Sequence, residues 1–440
     1  MFRKTLSLLV LPLLWAGTTL AQTLNKPKLD SLLTTLEASH KAMGSLTLVQ
    51  NGQVIYQRTT GLAQTAPAAV PATAGTRYRI GSVSKLITAT LVMQLVEEGK
   101  LKLDTPLATW FPQLPNAAKI TVQQLLMHRS GLHSFTADEA YVQYMTKPKT
   151  QAEMLTLMAA PVEFEPGAKY SYSNTNYVLL GYIVEKVTKQ PYAQVLQKRI
   201  ADKLKLKDTY YGGRIDAKKQ EAASYKWNGT SWEAQPETDM SIPGGAGAVV
   251  SNSQDLARIM EGLYSGKLVK PATLEQMQAA QDGYGLGLMM LPFAGHKSYG
   301  HFGIIDGFRA GLSHFPAEKL TVAYTSNTPY PTNDVLLGVL SIYFNLPYRL
   351  PDFSAATLSA ADLSPFVGNY ASAQMPLKIN VTVAGNTLMA QATGQGAFPL
   401  TPKSKTQFVY PEAGLQMDFD AAQHTFTLRQ AGNTYLFKRE

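Results

Sequence analysis

The 440-residue chain has no cysteine. Disulfides are excluded, as are zinc sites built on thiolates and a lipid anchor attached to a cysteine after a leader. No His-Glu-x-x-His occurs, so the zincin arrangement is absent. No Gly-x-Ser-x-Gly occurs either, and the nucleophile elbow of the α/β-hydrolases is missing with it. Charge is scarce, at 16% of residues, and 40 basic side chains stand against 31 acidic ones. The excess of +9 is spread out, without a dense basic run. Nucleic acid is therefore not an expected partner. Beyond the N-terminus no apolar run approaches membrane-spanning length.

What is present begins with Met1-Phe2-Arg3-Lys4, a basic start, followed by an apolar stretch from Leu6 to Gly17 and Thr19-Leu20-Ala21 before Gln22. This order reads as a secretory signal peptide over 1–21, with the mature chain exported to a periplasmic or extracellular space; the alternative is an N-terminal anchor that stays uncleaved. The remaining length suits one large domain and a small one.

Gly81-Ser82-Val83-Ser84-Lys85-Leu86 opens a strongly apolar helical run to Val96. Positions three apart share a helix face, so Ser82 and Lys85 point the same way. A hydroxyl beside a lysine whose ammonium is disfavoured by burial is an activated nucleophile. The helix N-terminus adds backbone N–H groups that suit a developing oxyanion. The competing reading is an N-cap serine with a solvated lysine in the first turn. The helix behind the pair is too apolar for a surface helix.

Around this pair, Leu29 to Ala42 reads as an amphipathic helix, and Asn51-Gly52 as a hairpin turn between alternating runs. Thr121 caps a short helix stopped at Gly131, with His128 in its last turn as a structural residue. Tyr170 to Tyr177 is a polar, aromatic knot before a buried helix from Val178 to Val187, either a site loop or a plain cap with Ser173 or Asn174 at the N-cap. Ser241 to Gly247 is a tight glycine loop without phosphate-binding spacing. Gly283 to Met290, the stretch around Ser298 to Gly303, Phe308 to Phe315 and Leu320 to Asn327 read as strands, the last two as antiparallel neighbours. Asn333 to Phe344 reads as a closing helix. From about Leu363 only short alternating runs and turns remain, which predicts a small all-β barrel with no helix. The fold class expected is α+β, an antiparallel sheet flanked by helices with a mostly helical insertion, plus that barrel. The expected division is 1–21 signal, 22–350 main domain, 351–362 linker and 363–440 barrel.

Several blocks occur in a recognisable order: Ile80-Gly81-Ser82-Val83-Ser84-Lys85, Leu125 to Leu132, Pro166-Gly167 with Tyr172-Ser173-Asn174, and Gly300-His301-Phe302-Gly303 with Gly307-Phe308. Residues from about Leu29 to Tyr348 thereby resemble the serine β-lactamase and penicillin-binding-protein superfamily. The similar branch holds class C β-lactamases, D-Ala-D-Ala carboxypeptidases, D-aminopeptidases and esterases, often with an appended C-terminal barrel. The resemblance implies a serine hydrolase that cleaves an amide or ester bond through an acyl-enzyme: a D-Ala-type peptide, a β-lactam or a short ester. It places Ser82 as nucleophile, Lys85 as base and Tyr172 as proton relay with a phenol pKa lowered by the neighbouring lysine. It gives Asn174 the task of fixing Lys85 and binding a substrate amide, and makes the N–H groups of Ser82 and Ile304 the oxyanion hole. Where the family has Lys-Thr-Gly, this chain has His301-Phe302-Gly303. A histidine there supports a substrate carboxylate only when protonated, and Arg309 is a possible substitute. No metal or organic cofactor is implied, and the partner expected is a small-molecule or peptide substrate. The alternative is a non-catalytic envelope or peptide-binding protein on the same fold.

Overall fold

The computed structural model describes residues 24–353, 358–410 and 413–440. The expected signal segment 1–21 lies outside the described residues, as do residues 354–357 of the expected linker.

Asn51 and Gly52 both take left-handed backbone, at φ 51° and 74°. That pair of conformations matches the twist of a two-residue hairpin. It joins β1 (Gly44–Gln50) to β2 (Gln53–Thr60). The pair forms one edge of a six-stranded antiparallel sheet completed from the far end of the sequence. Helix α1 (Lys26–Ala38) precedes the hairpin, and the elements after it include β3 (Tyr78–Arg79), α2 (Ser84–Glu97), α3 (Val122–Leu126), α4 (Asn174–Thr188), β4 (Tyr210–Tyr211), β5 (Val249–Ser251) and α5 (Ser253–Tyr264). They are followed by β6 (Met289–Met290), β7 (Tyr299–Ile305), β8 (Phe308–Phe315), β9 (Leu320–Ser326) and α6 (Thr332–Tyr343). The sheet order is β6-β7-β8-β9-β1-β2. Every residue of β9 is buried, because helices cover both sheet faces. On one face Leu29, Leu32, Leu33 and Leu36 of α1 meet Val335 and Val339 of α6 over Leu46, Leu48, Val322 and Tyr324. On the other lies α5, whose Ser253 hydroxyl meets those of Ser45 and Thr47 at 2.9 and 2.8 Å. Helices α2 and α4 belong to the larger apolar core beyond.

Three local expectations need correction. The helix capped at Thr121 is present with its full capping box, but it ends at Leu126 rather than reaching Gly131. His128 adopts φ 54°, which no α-helix contains. Of Gly283 to Met290 only the last two residues pair as a strand. Gly283 and Gly287, at φ 80° and 79°, break the extended run before it. Gly244–Gly247, expected within a tight loop, form one helical turn.

The C-terminal part is a closed barrel of eight strands, from Gly368–Ser372 to Asn433–Arg439. The first strand pairs with the last, through Tyr370↔Arg439 and Ala371↔Lys438. Phe366, Tyr370, Phe408, Phe419, Phe426 and Phe437 fill its interior. A single helical turn, Ala360–Leu363, precedes it at the end of the expected linker. One turn is too short to show apolar periodicity.

Among the described residues no helix is long and apolar enough to cross a membrane.

Candidate active site

Ser82 is positioned by the meeting of two sheets. The short strand β3 pairs with β5, through Tyr78↔Ser251 and Arg79↔Val250. Ile80 N–H continues the ladder to Val249 O at 3.1 Å. The chain then turns at Gly81, φ 49°, through the tight turn Gly81–Val83 and directly into α2. A Cβ on Gly81 would lie 2.7 Å from Ile304 O and 2.8 Å from Ile304 N. The left-handed backbone and this close approach both require glycine. Helix α2 is buried from Ser84 to Leu95, so the turn that carries Ser82 sits on a rigid rod.

Lys85 lies one helical turn on, fully buried. Its Nζ is 2.9 Å from Ser82 Oγ, 2.8 Å from Asn174 Oδ1 and 2.9 Å from Ala246 O. Burial pushes its pKa well below the ordinary lysine value. The Tyr172 ring is 4.9 Å away, and its hydroxyl is in hydrogen-bonding reach of the Ser82 side chain. The expected lowering of the Tyr172 pKa is not found. Burial raises it instead, outweighing the hydrogen bond with Ser82 that acts to lower it. Asn174 opens α4. Its backbone N–H donates to Ser134 Oγ at 3.0 Å and its Nδ2 to Thr136 Oγ1 at 2.8 Å. Both ends of its amide are thus engaged by protein.

The third segment runs along β7. Ile305 and Phe308 close a two-residue hairpin and form its hydrogen-bonded pair. Ile304, opposite Arg309, is then a non-bonded position whose N–H points away from β8. That is the edge facing Gly81 and Ser82. A Cβ on Gly303 would meet Ile80 O at 1.9 Å, so backbone lies against backbone here.

His301 is brought near Tyr172, with ring centroids 6.3 Å apart, but it is buried and does not line the cleft. Its Nδ1 is 2.6 Å from Phe302 O and its Nε2 3.1 Å from Tyr284 OH. The carbonyl can only accept, so Nδ1 carries the proton and Nε2 accepts from Tyr284. Burial, then the nearby Lys85, push its pKa from 6.5 to about 3. At neutral pH it is uncharged and offers nothing to a carboxylate. Arg309 does not replace it: its guanidinium donates to Phe308 O at 2.9 Å, and it too is absent from the cleft lining. His128 packs on Tyr172 at 4.3 Å, and its Nδ1 accepts from Ser173 N–H at 3.1 Å, which is a structural use.

A stability test follows. Between pH 6.5 and 3 the unfolded chain binds a proton at His301 that the folded chain refuses. Stability therefore falls as pH drops through that window and is level above it. His314, at about 4, acts in the same direction. Melts in urea between pH 7 and 4 are expected to show a His301→Gln variant with a shallower acid slope than wild type, by up to ~1.4 kcal/mol per pH unit. Parallel slopes would mean that His301 is protonated in the fold.

In front of Ser82 lies a cavity of about 340 Å³. Ser82, Asn174, Ala246 and Ile304 line it together with Phe135, Tyr141, Met145 and Pro243. No lysine or arginine does, and its one carboxylate, Asp306, is paired with Arg79 at 3.0 Å. Among the described residues no group of three or more His, Asp or Glu side chains could hold a metal ion.

Sequence reasoning missed Ala246, whose contribution is a carbonyl that any residue carries. The glycines beside it were a usable signal: a Cβ on Gly245 would lie 2.6 Å from Tyr177 O. It also missed Tyr284, which was assigned to a strand.

The sequence profile of the Beta-lactamase family matches residues 29–340. Penicillin-binding protein 4* of Bacillus subtilis (strain 168) is 25% identical over 93% of this chain and 98% of its own. The teichoic acid D-alanine hydrolase of Staphylococcus aureus is 26% identical over 59% of this chain and 65% of its own. Among solved structures, the D-amino acid amidase of Ochrobactrum anthropi SV3 superposes with a TM-score of 0.64 at 26% identity, over 73% of this chain and 98% of that one. With its profile match, its sheet flanked by helices and its Ser-x-x-Lys at the head of a buried helix, the chain belongs to the Beta-lactamase family.

Proposed function

We propose that this chain is an exported serine hydrolase that cleaves an ester or amide through an acyl-enzyme on Ser82. The observation that carries the reading is the environment of Lys85 Nζ. It has three neighbours, and two of them, Asn174 Oδ1 and Ala246 O, can only accept. A neutral amine has two N–H bonds, which these carbonyls take. The lone pair is then left for the proton of Ser82, 2.9 Å away. As Oγ adds to the substrate carbonyl, Lys85 receives that proton. The oxyanion forms against the N–H groups of Ser82 and Ile304. Tyr172 passes its phenol proton to the leaving group as it takes back the proton that Lys85 received, and water later releases the acyl group by the reverse path. Tyr172 does this as a neutral phenol in a relay, with no standing phenolate.

The cleft favours an uncharged acyl partner. It has an apolar wall of Phe135, Tyr141, Met145 and Pro243 and no cation to hold a carboxylate. Acyl esters and D-amino-acyl esters or amides therefore suit it better than β-lactams or peptides anchored by a terminal carboxylate. The names of the relatives, a D-alanine hydrolase and a D-amino acid amidase, point the same way. Export rests on the leader pattern over 1–21, and we place the domain division at 22–350 and 363–440 from the run of apolar patterning.

The test is incubation with a fluorophosphonate, followed by mass spectrometry, beside a panel of p-nitrophenyl esters, D-amino-acid amides and nitrocefin. Label on Ser82 and turnover of the esters or amides are expected. No label on Ser82 and no turnover of any panel member would overturn the reading. In Tyr172→Phe, kcat is expected to fall by about 10²-fold with KM little changed. Full activity in that variant would remove Tyr172 from the relay.

A further inference from the structure

The two proposed oxyanion donors sit on different sheets. Ser82 follows β3, in the small sheet β3-β5-β4, and Ile304 lies on β7 of the main sheet. Among the described residues no strand pairing joins those sheets. The gap between the two N–H groups rests on the close backbone approach of Gly81 to Ile304 and on whatever side chain holds the two segments together.

Arg79 crosses it. Its side chain is 2% exposed and leaves β3 three residues before Ser82. Nη1 donates to Asp306 Oδ2 at 3.0 Å and to Thr238 O at 2.7 Å. Nη2 donates to Glu237 Oε1 at 2.7 Å and to Gly213 O at 3.0 Å. Asp306 is the turn residue two positions after Ile304, with its side chain 1% exposed. Its Oδ1 also accepts the Thr238 hydroxyl at 2.6 Å. The guanidinium therefore ties the nucleophile's strand to the turn that ends the Ile304 strand, in the wall of the cleft. A planar fork bonded this way fixes distance and direction, which a lysine point charge does not.

We infer that the Arg79–Asp306 pair is a positioning device for the oxyanion hole, holding the Ile304 N–H at its working distance from that of Ser82. The inference rests on the acyl-enzyme reading above. It assigns to Arg79 and Asp306 no contact with the reacting atoms. Interactions made only in the transition state act on kcat, so loosening the hole lowers kcat and leaves KM.

The experiment compares wild type with Arg79→Ala, Arg79→Lys, Asp306→Asn and the double variant Arg79→Met/Asp306→Leu. The double variant removes both fully buried charges together, and the part-exposed Glu237 keeps the Ile215 N–H, so it is expected to fold where a single one fails. Three quantities are read: kcat and KM on p-nitrophenyl butyrate, affinity for a phenylboronic acid, and the rate of fluorophosphonate labelling at Ser82. In Arg79→Ala and in the double variant kcat is expected to fall about 100-fold with KM within about threefold, and boronate affinity to fall in proportion. Arg79→Lys and Asp306→Asn are expected to recover part of kcat. A folded double variant with wild-type kcat would overturn the inference, and so would a loss carried by KM alone or failure of every variant to fold. Absence of label on wild-type Ser82 would instead strike the acyl-enzyme reading itself.

Discussion

Ser82→Ala is expected to bring turnover of the best ester in the panel down by about 10⁵-fold or more, to the level left by binding and the oxyanion hole. Without Oγ no acyl-enzyme forms, and the remaining groups can only polarise a bound carbonyl for water. Fluorophosphonate label should vanish from the peptide that holds residue 82. The fold should survive. Lys85 keeps Asn174 Oδ1 and Ala246 O at 2.8 and 2.9 Å, and the turn at Gly81 is set by backbone. The thermal transition is expected within about 1 kcal/mol of wild type. Activity within tenfold of wild type would mean that another residue is the nucleophile.

What could be read from the sequence was local. Asn51-Gly52 signals its hairpin because two adjacent left-handed residues are a property of those two residues. Thr121 and Gln124 form their capping box for the same reason. Ser82 and Lys85 share a face because helical periodicity puts them there. Burial patterning carries the rest of the architecture: α1 shows its four leucines, and the barrel strands alternate. What stayed hidden depends on partners far along the chain. Arg79 and Asp306 are 227 positions apart, and each alone looks like a surface charge. Lys85 finds a backbone carbonyl 161 positions away, and a carbonyl leaves no mark in a sequence. Tyr284 and His301 are 17 positions apart, but glycine backbone between Gly283 and Gly287 turns the ring inward where strand alternation was read. The same limit explains the Tyr172 pKa. A lysine nearby suggests a lowered phenol, whereas burial of the phenol, visible only in the fold, reverses the sign.

Lys85→Met is expected to cost about 10³-fold in kcat/KM, which corresponds to roughly 4 kcal/mol of transition-state stabilisation. Methionine fills a similar volume and is at ease in a buried site. It leaves Asn174 Oδ1 and Ala246 O without their donor, which costs about 1–3 kcal/mol each in stability. The compensating gain is that no amine has to be desolvated. The pH profile separates a base from a structural lysine. Only the neutral amine can take the Ser82 proton, and burial holds the pKa of Lys85 well below 10.5. Wild-type kcat/KM should therefore rise with pH through that lowered value and reach a plateau before the ordinary lysine range. Between the lowered folded pKa and 10.5 the unfolded chain binds a proton at this position that the folded chain does not, so the buried amine costs stability there and below, and the cost shrinks as pH rises through that window. In Lys85→Met the ascending limb should disappear together with the rate, because no titrating base remains between Ser82 and Tyr172. A variant that kept the limb at reduced rate would place the titration on Tyr172. One that kept both rate and limb would make Lys85 a packing residue and leave Ser82 without an identified base.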